Sequence, residues 1–265
     1  MSESSRPGFR DFLPSANQAL AELEQVTGQP VQILEDSQLK VLATIRRAAP
    51  GEACHLLRIK GGENRVADYL ITFECRMALR DEPAPRAVLR DNTSVREQVI
   101  SACEGLHRHL PAGRSQELGR FIYSGLILQL RSMGPGMVVD RWIREHCPDL
   151  REAQAQAIAS EISNNLPALQ PSTRANYPAT VYDASIAMNA AYAIHGGDLL
   201  GKPYLAVPYI SQGYGEIGRR LIALAVGGDA RGPIANDRQI IDAWAEALAL
   251  SGWYEWASSP SKPGA

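Results

Sequence analysis

The amino-acid sequence predicts an α+β fold that is predominantly helical, with a small N-terminal sheet. Three observations predict it. Apolar residues recur at the helical period along most of the chain. The clear β-prone runs, 31–34 and 54–60, both precede residue 61. The composition is globular, with 45% hydrophobic and 21% charged residues, so 265 residues can bury a sizeable core.

The elements follow in order. The polar stretch 1–10 is expected to fray. Ser15 is a candidate N-cap for a helix over 15–27, stopped by Gly28. Residues 39–47 read as helix, and Pro50-Gly51 closes that segment. A strand over 54–60 ends at Gly61-Gly62, and a helix runs over 64–80. Pro83 and Pro85 mark the domain boundary, giving an N-terminal unit (1–82) and a helical region packed on it (83–256). Helices are expected there over 94–109, 115–132, 137–146, 150–166, 180–195, 216–226 and 237–250. Gly134-Pro135-Gly136 reads as a turn between two of them. The small polar tail 257–265 is expected to be disordered.

Charge and cysteine usage narrow the function. A net charge of -2 and a pI near 6.2 argue against nucleic acid as a partner. No apolar run reaches the ~18 residues of a membrane span, and none at the start has signal-peptide length. Four cysteines lie far apart with no C-x-x-C pair. Reduced thiols in a cytoplasm are therefore expected.

The segment 54–81 carries the functional argument. A strand, a Gly-Gly turn and a helix follow one another. Val66, Tyr69, Leu70, Phe73 and Met77 share one helix face. The pattern from Asp68 to Arg80, D-Y-L-I-x-x-E-x-x-x-x-L-R, resembles the active-site helix of zincin metallopeptidases of the ImmA/IrrE type. The resemblance covers roughly residues 15–81. In those proteins the helix carries H-E-x-x-H, in which two histidines bind zinc and the glutamate activates the bound water. Here the same positions read Phe73-Glu74-Cys75-Arg76-Met77. The glutamate matches and both histidine positions do not. A phenyl ring has no donor for a metal, and a thioether suits Cu(I) rather than zinc. The resemblance therefore implies a degenerate scaffold. Phe73 and Met77 would stand as relic metal-site positions filled with apolar volume, and Glu74 would be the sole catalytic candidate. No metal and no cofactor are expected. The function implied is that of a non-catalytic binding or regulatory protein with a protein or peptide partner. The alternative is an active hydrolase using a non-standard site.

Other constellations carry less. Gly213, Gly215 and Gly218 spell G-x-G-x-x-G, but a dinucleotide site needs a βαβ unit, and Pro203 and Pro208 spoil the one β-prone run before it. His107 and His109 point to different helix faces. His55 is one strand away from Glu74 and reads as structural. Cys75 lacks a neighbouring base. Asn189 and the charges Arg131, Asp140, Arg141, Arg144 and Glu145 read as solvated. Trp244, Trp253 and Trp256 lie near the C-terminus, and Trp253, Tyr254 and Trp256 read as anchors of the last helix on the core, the commoner case, or as a partner site.

Overall fold

The computed structural model describes residues 12–39, 41–49, 51–61, 66–80, 87–226 and 234–258. The fold is α+β and predominantly helical. It divides into two compact units. One comprises Met1–Leu79 with Ile143–Gln154, the other Arg80–Trp142 with Ala155–Ala265. The Pro83 and Pro85 boundary lies outside the described residues.

In the first unit, α1 (Pro14–Thr27) buries Ala16, Ala19, Leu20 and Leu23, one stripe at i, i+3, i+4 and i+7. Proline at the first helical position fits, because its missing N–H would have no helical partner there. Ser15 is not the N-cap. Its backbone N–H donates instead to Asp149 Oδ2 at 3.0 Å, so a carboxylate far along the chain sits at the positive helix end. Gly28, at φ 69°, ends the helix as expected.

A three-stranded sheet follows, in the order β1 (Val31–Asp36), β3 (His55–Lys60), β2 (Ala43–Arg46). β1 and β3 are parallel, and β2 lies antiparallel to β3 with Ala43 opposite Ile59. The helix expected over 39–47 is therefore corrected. Thr44 and Ile45 are β-branched, and the open side of β3 gives the backbone of this segment a partner. The helix α2 (Ala67–Arg80) completes the unit's N-terminal run. Positions 62–65, where the sequence places the helix start, lie outside the described residues.

The second unit is built from helices around α7 (Ala179–Leu200). That helix is buried on nearly all sides from Val181 to Gly197. Ala184, Ala187, Met188 and Ala191 join a cluster with Tyr123, Leu126, Leu221 and Trp244. Ala190, Ala193 and Ile194 join another with Ile158, Ile162 and Tyr209. Small residues let neighbours approach closely. A Cβ on Gly218 of α9 (Gly215–Val226) would stand 3.2 Å from the Ala191 backbone nitrogen.

The turn expected at Gly134-Pro135-Gly136 is also corrected. α4 (Ala112–His146) is one helix of 35 residues with Pro135 inside it. Gly134 there faces Ile240 and Trp244, and a Cβ would come within 2.6 Å of the Ile240 side chain. The glycine serves close packing, which outweighs the bond lost at the proline.

The remaining helices are α3 (Thr93–Leu106), α5 (Arg151–Asn165), α6 (Pro171–Ala175), α8 (Val207–Ser211) and α10 (Ile234–Ala247). The β-prone run 205–210 is helical in α8 and in the short turn before it. One feature departs from an all-helical second region. β4 (Ala87–Asp91) pairs antiparallel with β5 (Tyr254–Ser258), so residues 257 and 258 of the expected tail are in a strand. The rest of that tail is outside the described residues. Arg80 closes on Asp237 through a buried multidentate ion pair.

Candidate functional site

Glu74 sits in the C-terminal half of α2, where the helix has one buried side and one half-exposed side. Asp68, in its first turn, accepts the Leu13 N–H at 2.9 Å. Val66, Tyr69 and Leu70 are buried, as the apolar stripe predicts. Further along, Ile71, Thr72, Cys75, Ala78 and Arg80 are buried, while Phe73 and Met77 are only half-buried. At about 100° per residue, Cys75 lies roughly opposite Phe73. The core thus takes the far face of this half of the helix. The expectation that Phe73 and Met77 extend the core stripe is corrected. Phe73 keeps a ring contact with Tyr69, centroids 6.0 Å apart.

Glu74 is half-buried as a residue, with its carboxyl end desolvated. Its Oε2 accepts the backbone N–H of Ile45 at 3.1 Å. Burial pushes its pKa up from 4.5 to about 7, against the lowering effect of that hydrogen bond. The direction of the Ile45 N–H follows from the strand register. Lys60 donates to Leu42 O at 2.9 Å, so Leu42 and Lys60 face each other as a hydrogen-bonded pair. Pairing alternates along an antiparallel ladder. Ile45 stands opposite Leu57, three positions on, in a non-hydrogen-bonded pair. Its N–H therefore points away from β3, on the outer edge of the sheet, and Glu74 occupies it.

The groups around this contact are engaged elsewhere. His55 Nδ1 accepts the Ala48 N–H at 2.9 Å, and its Nε2 lies 2.8 Å from Thr27 Oγ1. Thr27 Oγ1 donates to Leu23 O at 2.6 Å. This fixes the neutral tautomer with the proton on Nε2, and His55 is structural. Arg58 pairs with Asp36, Arg46 with Glu52, and Arg76 with Glu22 at 2.8 Å. Cys75 is fully buried, which leaves no approach for a substrate. Among the described residues, no group of three His, Cys, Asp or Glu side chains is placed to hold a metal ion.

Polar residues in the second unit include several that the sequence reading assigned to solvent. Asn189 is buried, and its Oδ1 accepts from Gln129 Nε2 at 2.8 Å. Ser185 Oγ donates to Gln129 Oε1 at 2.8 Å. Asp140 is buried as well. Asn189 lies where α4 supplies a polar partner, information that local sequence does not contain. His107 Nε2 meets Asn176 O at 2.9 Å, a structural role. Trp244 is fully buried and donates to Leu221 O at 2.8 Å, and Trp253 stacks on Tyr123. Tyr254 joins the same buried cluster, and Trp253 and Trp256 pack against it, the core anchoring expected of them.

His195 escapes sequence reasoning altogether. It is buried on α7, bonded to the Met137 backbone, and burial together with Arg141 pushes its pKa down to about 4. Tyr192, one turn earlier, is pushed well up by burial and by Asp140 and Glu161. A single histidine in the small-residue run 187–197 gives no sequence signal of this setting.

Comparison with family models, with curated proteins and with solved structures gives no match to this chain. Among the described residues no helix is long and apolar enough to cross a membrane.

Proposed function

We propose that this chain is a non-catalytic binding or regulatory protein on a degenerate metallopeptidase-like scaffold. The observation that carries the reading is the engagement of Glu74. Its carboxylate serves the Ile45 backbone, and the residues on either side of it at the relic positions are Phe73 and Met77. A glutamate that activates a metal-bound water needs nitrogen ligands at those two positions. The order helix, three strands, helix in the first unit supports the same scaffold. The half-exposed apolar pair Phe73 and Met77, on the helix whose Glu74 reaches an edge strand, supports a protein or peptide partner over a small ion. One observation favours the hydrolase alternative. A carboxyl titrating near 7 is suited to general acid–base work at neutral pH.

Three measurements test the reading. Purified protein should hold no stoichiometric zinc and should leave an unstructured protein such as casein uncut between pH 6 and 8, with or without added zinc. Hydrolysis that Glu74→Gln abolishes would replace this reading with the hydrolase. For the scaffold, Phe73→His with Met77→His should bind zinc between both imidazoles in a crystal, with the Glu74 carboxylate turned toward the metal. Imidazoles that diverge in that structure would end the metallopeptidase ancestry.

A further inference from the structure

We propose that Glu74 is a proton-operated latch on the outer edge of the three-stranded sheet: its carboxylate holds the outward N–H of Ile45, and uptake of one proton loosens that hold. The latch is built from two features. β2 is an edge strand, and its register turns the Ile45 N–H away from the sheet. An edge N–H ordinarily faces water or another strand. Here a carboxylate from α2, 29 residues along the chain, takes it at 3.1 Å.

No cation among the described residues competes for this carboxylate or neutralises it. On α2 the adjacent base, Arg76, is held by Glu22 of α1, and Asp68 accepts the Leu13 N–H. Glu24, also on α1, accepts the Val31 N–H at 2.8 Å. On β2, Arg46 is bound to Glu52. On β3, Arg58 is bound to Asp36, and His55 is closed between Ala48 and Thr27. The balance at Glu74 is therefore between desolvation, which favours the neutral acid, and the Ile45 N–H, which favours the anion. Desolvation dominates, so the proton comes and goes near neutrality.

The step itself is one proton from solvent onto the carboxylate, with no other bond made or broken. A hydrogen bond to an anion is roughly twice as strong as one to a neutral acceptor. The Ile45 N–H is held strongly at pH 8 and weakly at pH 6. A weakly held edge N–H is a point at which an extended segment can add. That consequence rests on the partner reading above, while the latch itself does not.

The test is an NMR titration of the full chain from pH 5.5 to 8.5. The Glu74 carboxyl carbon should titrate with a midpoint near neutrality, and the Ile45 amide proton should shift with the same midpoint. Glu74→Gln should remove the pH dependence at Ile45. An Ile45 amide that stays flat over this range, or that titrates equally in Glu74→Gln, overturns the latch. So does a Glu74 carboxyl carbon that titrates below pH 5 in the unmodified chain, a readout that stands even if the variant does not fold. None of these readouts involves a partner or a metal, so failure of the latch is separable from failure of the proposed function.

Discussion

Replacing Glu74 by glutamine keeps an acceptor for the Ile45 N–H and removes the charge, which makes it the sharpest perturbation of the first unit. The folded carboxyl titrates near 7, against 4.5 for an ordinary one. A raised pKa means that the folded chain holds the proton more tightly than the unfolded chain. The stability this contributes is fully present below pH 4.5 and is lost as pH rises through 7. The gap corresponds to ~3 kcal/mol, at about 1.4 kcal/mol for each tenfold change in proton affinity. Partial solvent contact of the side chain makes that figure an upper bound. The variant loses none of it, because an amide does not titrate. Its own cost is a buried NH2 group without an assured acceptor, about 1 kcal/mol and independent of pH. Glu74→Gln should therefore be slightly less stable than the parent at pH 4.5 and more stable by ~2 kcal/mol at pH 8. Urea unfolding at pH 4.5, 6, 7 and 8 measures the crossover. A stability difference that stays constant across the series would refute the argument, since only a titrating group makes it vary.

Two further predictions concern the second unit. His195 has the opposite sign. Its folded pKa near 4 lies below the ordinary 6.5, so the stability it contributes is present above 6.5 and is lost as pH falls through 4. The full loss is ~3 kcal/mol. His195→Gln should flatten the acid side of the urea-stability profile between pH 6.5 and 4, and an unchanged slope there would contradict the buried neutral imidazole. Gly119→Ala places a Cβ 2.7 Å from the Ile100 backbone Cα of α3. Backbone cannot yield as a side-chain tip does, so a destabilisation of ~1–3 kcal/mol is expected. Thermal melting of Gly125→Ala, where nothing stands within 4 Å, is the control, and equal melting temperatures for the two variants would count against the close α3–α4 contact.

What the sequence made legible was what neighbours along the chain decide. The buried stripe of α1 and its glycine stop follow from spacing and from φ alone. So does the first half of α2, where Val66, Tyr69 and Leu70 are buried as their period predicts. The misreadings share one cause, a partner distant in sequence. Residues 43–46 alternate too briefly to outweigh a helical pattern until β3 offers its open side. Gly134 and Pro135 spell a turn until Ile240 and Trp244 are brought against them. β4 and β5 lie at opposite ends of the second unit's chain, and each is only five residues long.

The same cause governs the candidate site. The sequence singles out Glu74 by the pattern around it, but it places the core on the wrong side of the helix's second half. The apolar side chains Phe73 and Met77 suggested burial by their type. The apolar residues that are buried there, Ile71, Cys75 and Ala78, include two small ones that hydropathy weights lightly. Small residues on a helix mark close approach of another element, and this rule also reads Ala190, Ala191 and Gly218 correctly on α7 and α9. Applied to α2, it turns Cys75 and Ala78 inward and leaves Phe73 and Met77 on the open side. Glu74 then lies between the two faces, where a carboxylate is desolvated yet can still reach a strand edge. Its shifted titration follows from that intermediate position: deeper burial would require a charged partner, and full exposure would leave the carboxyl ordinary.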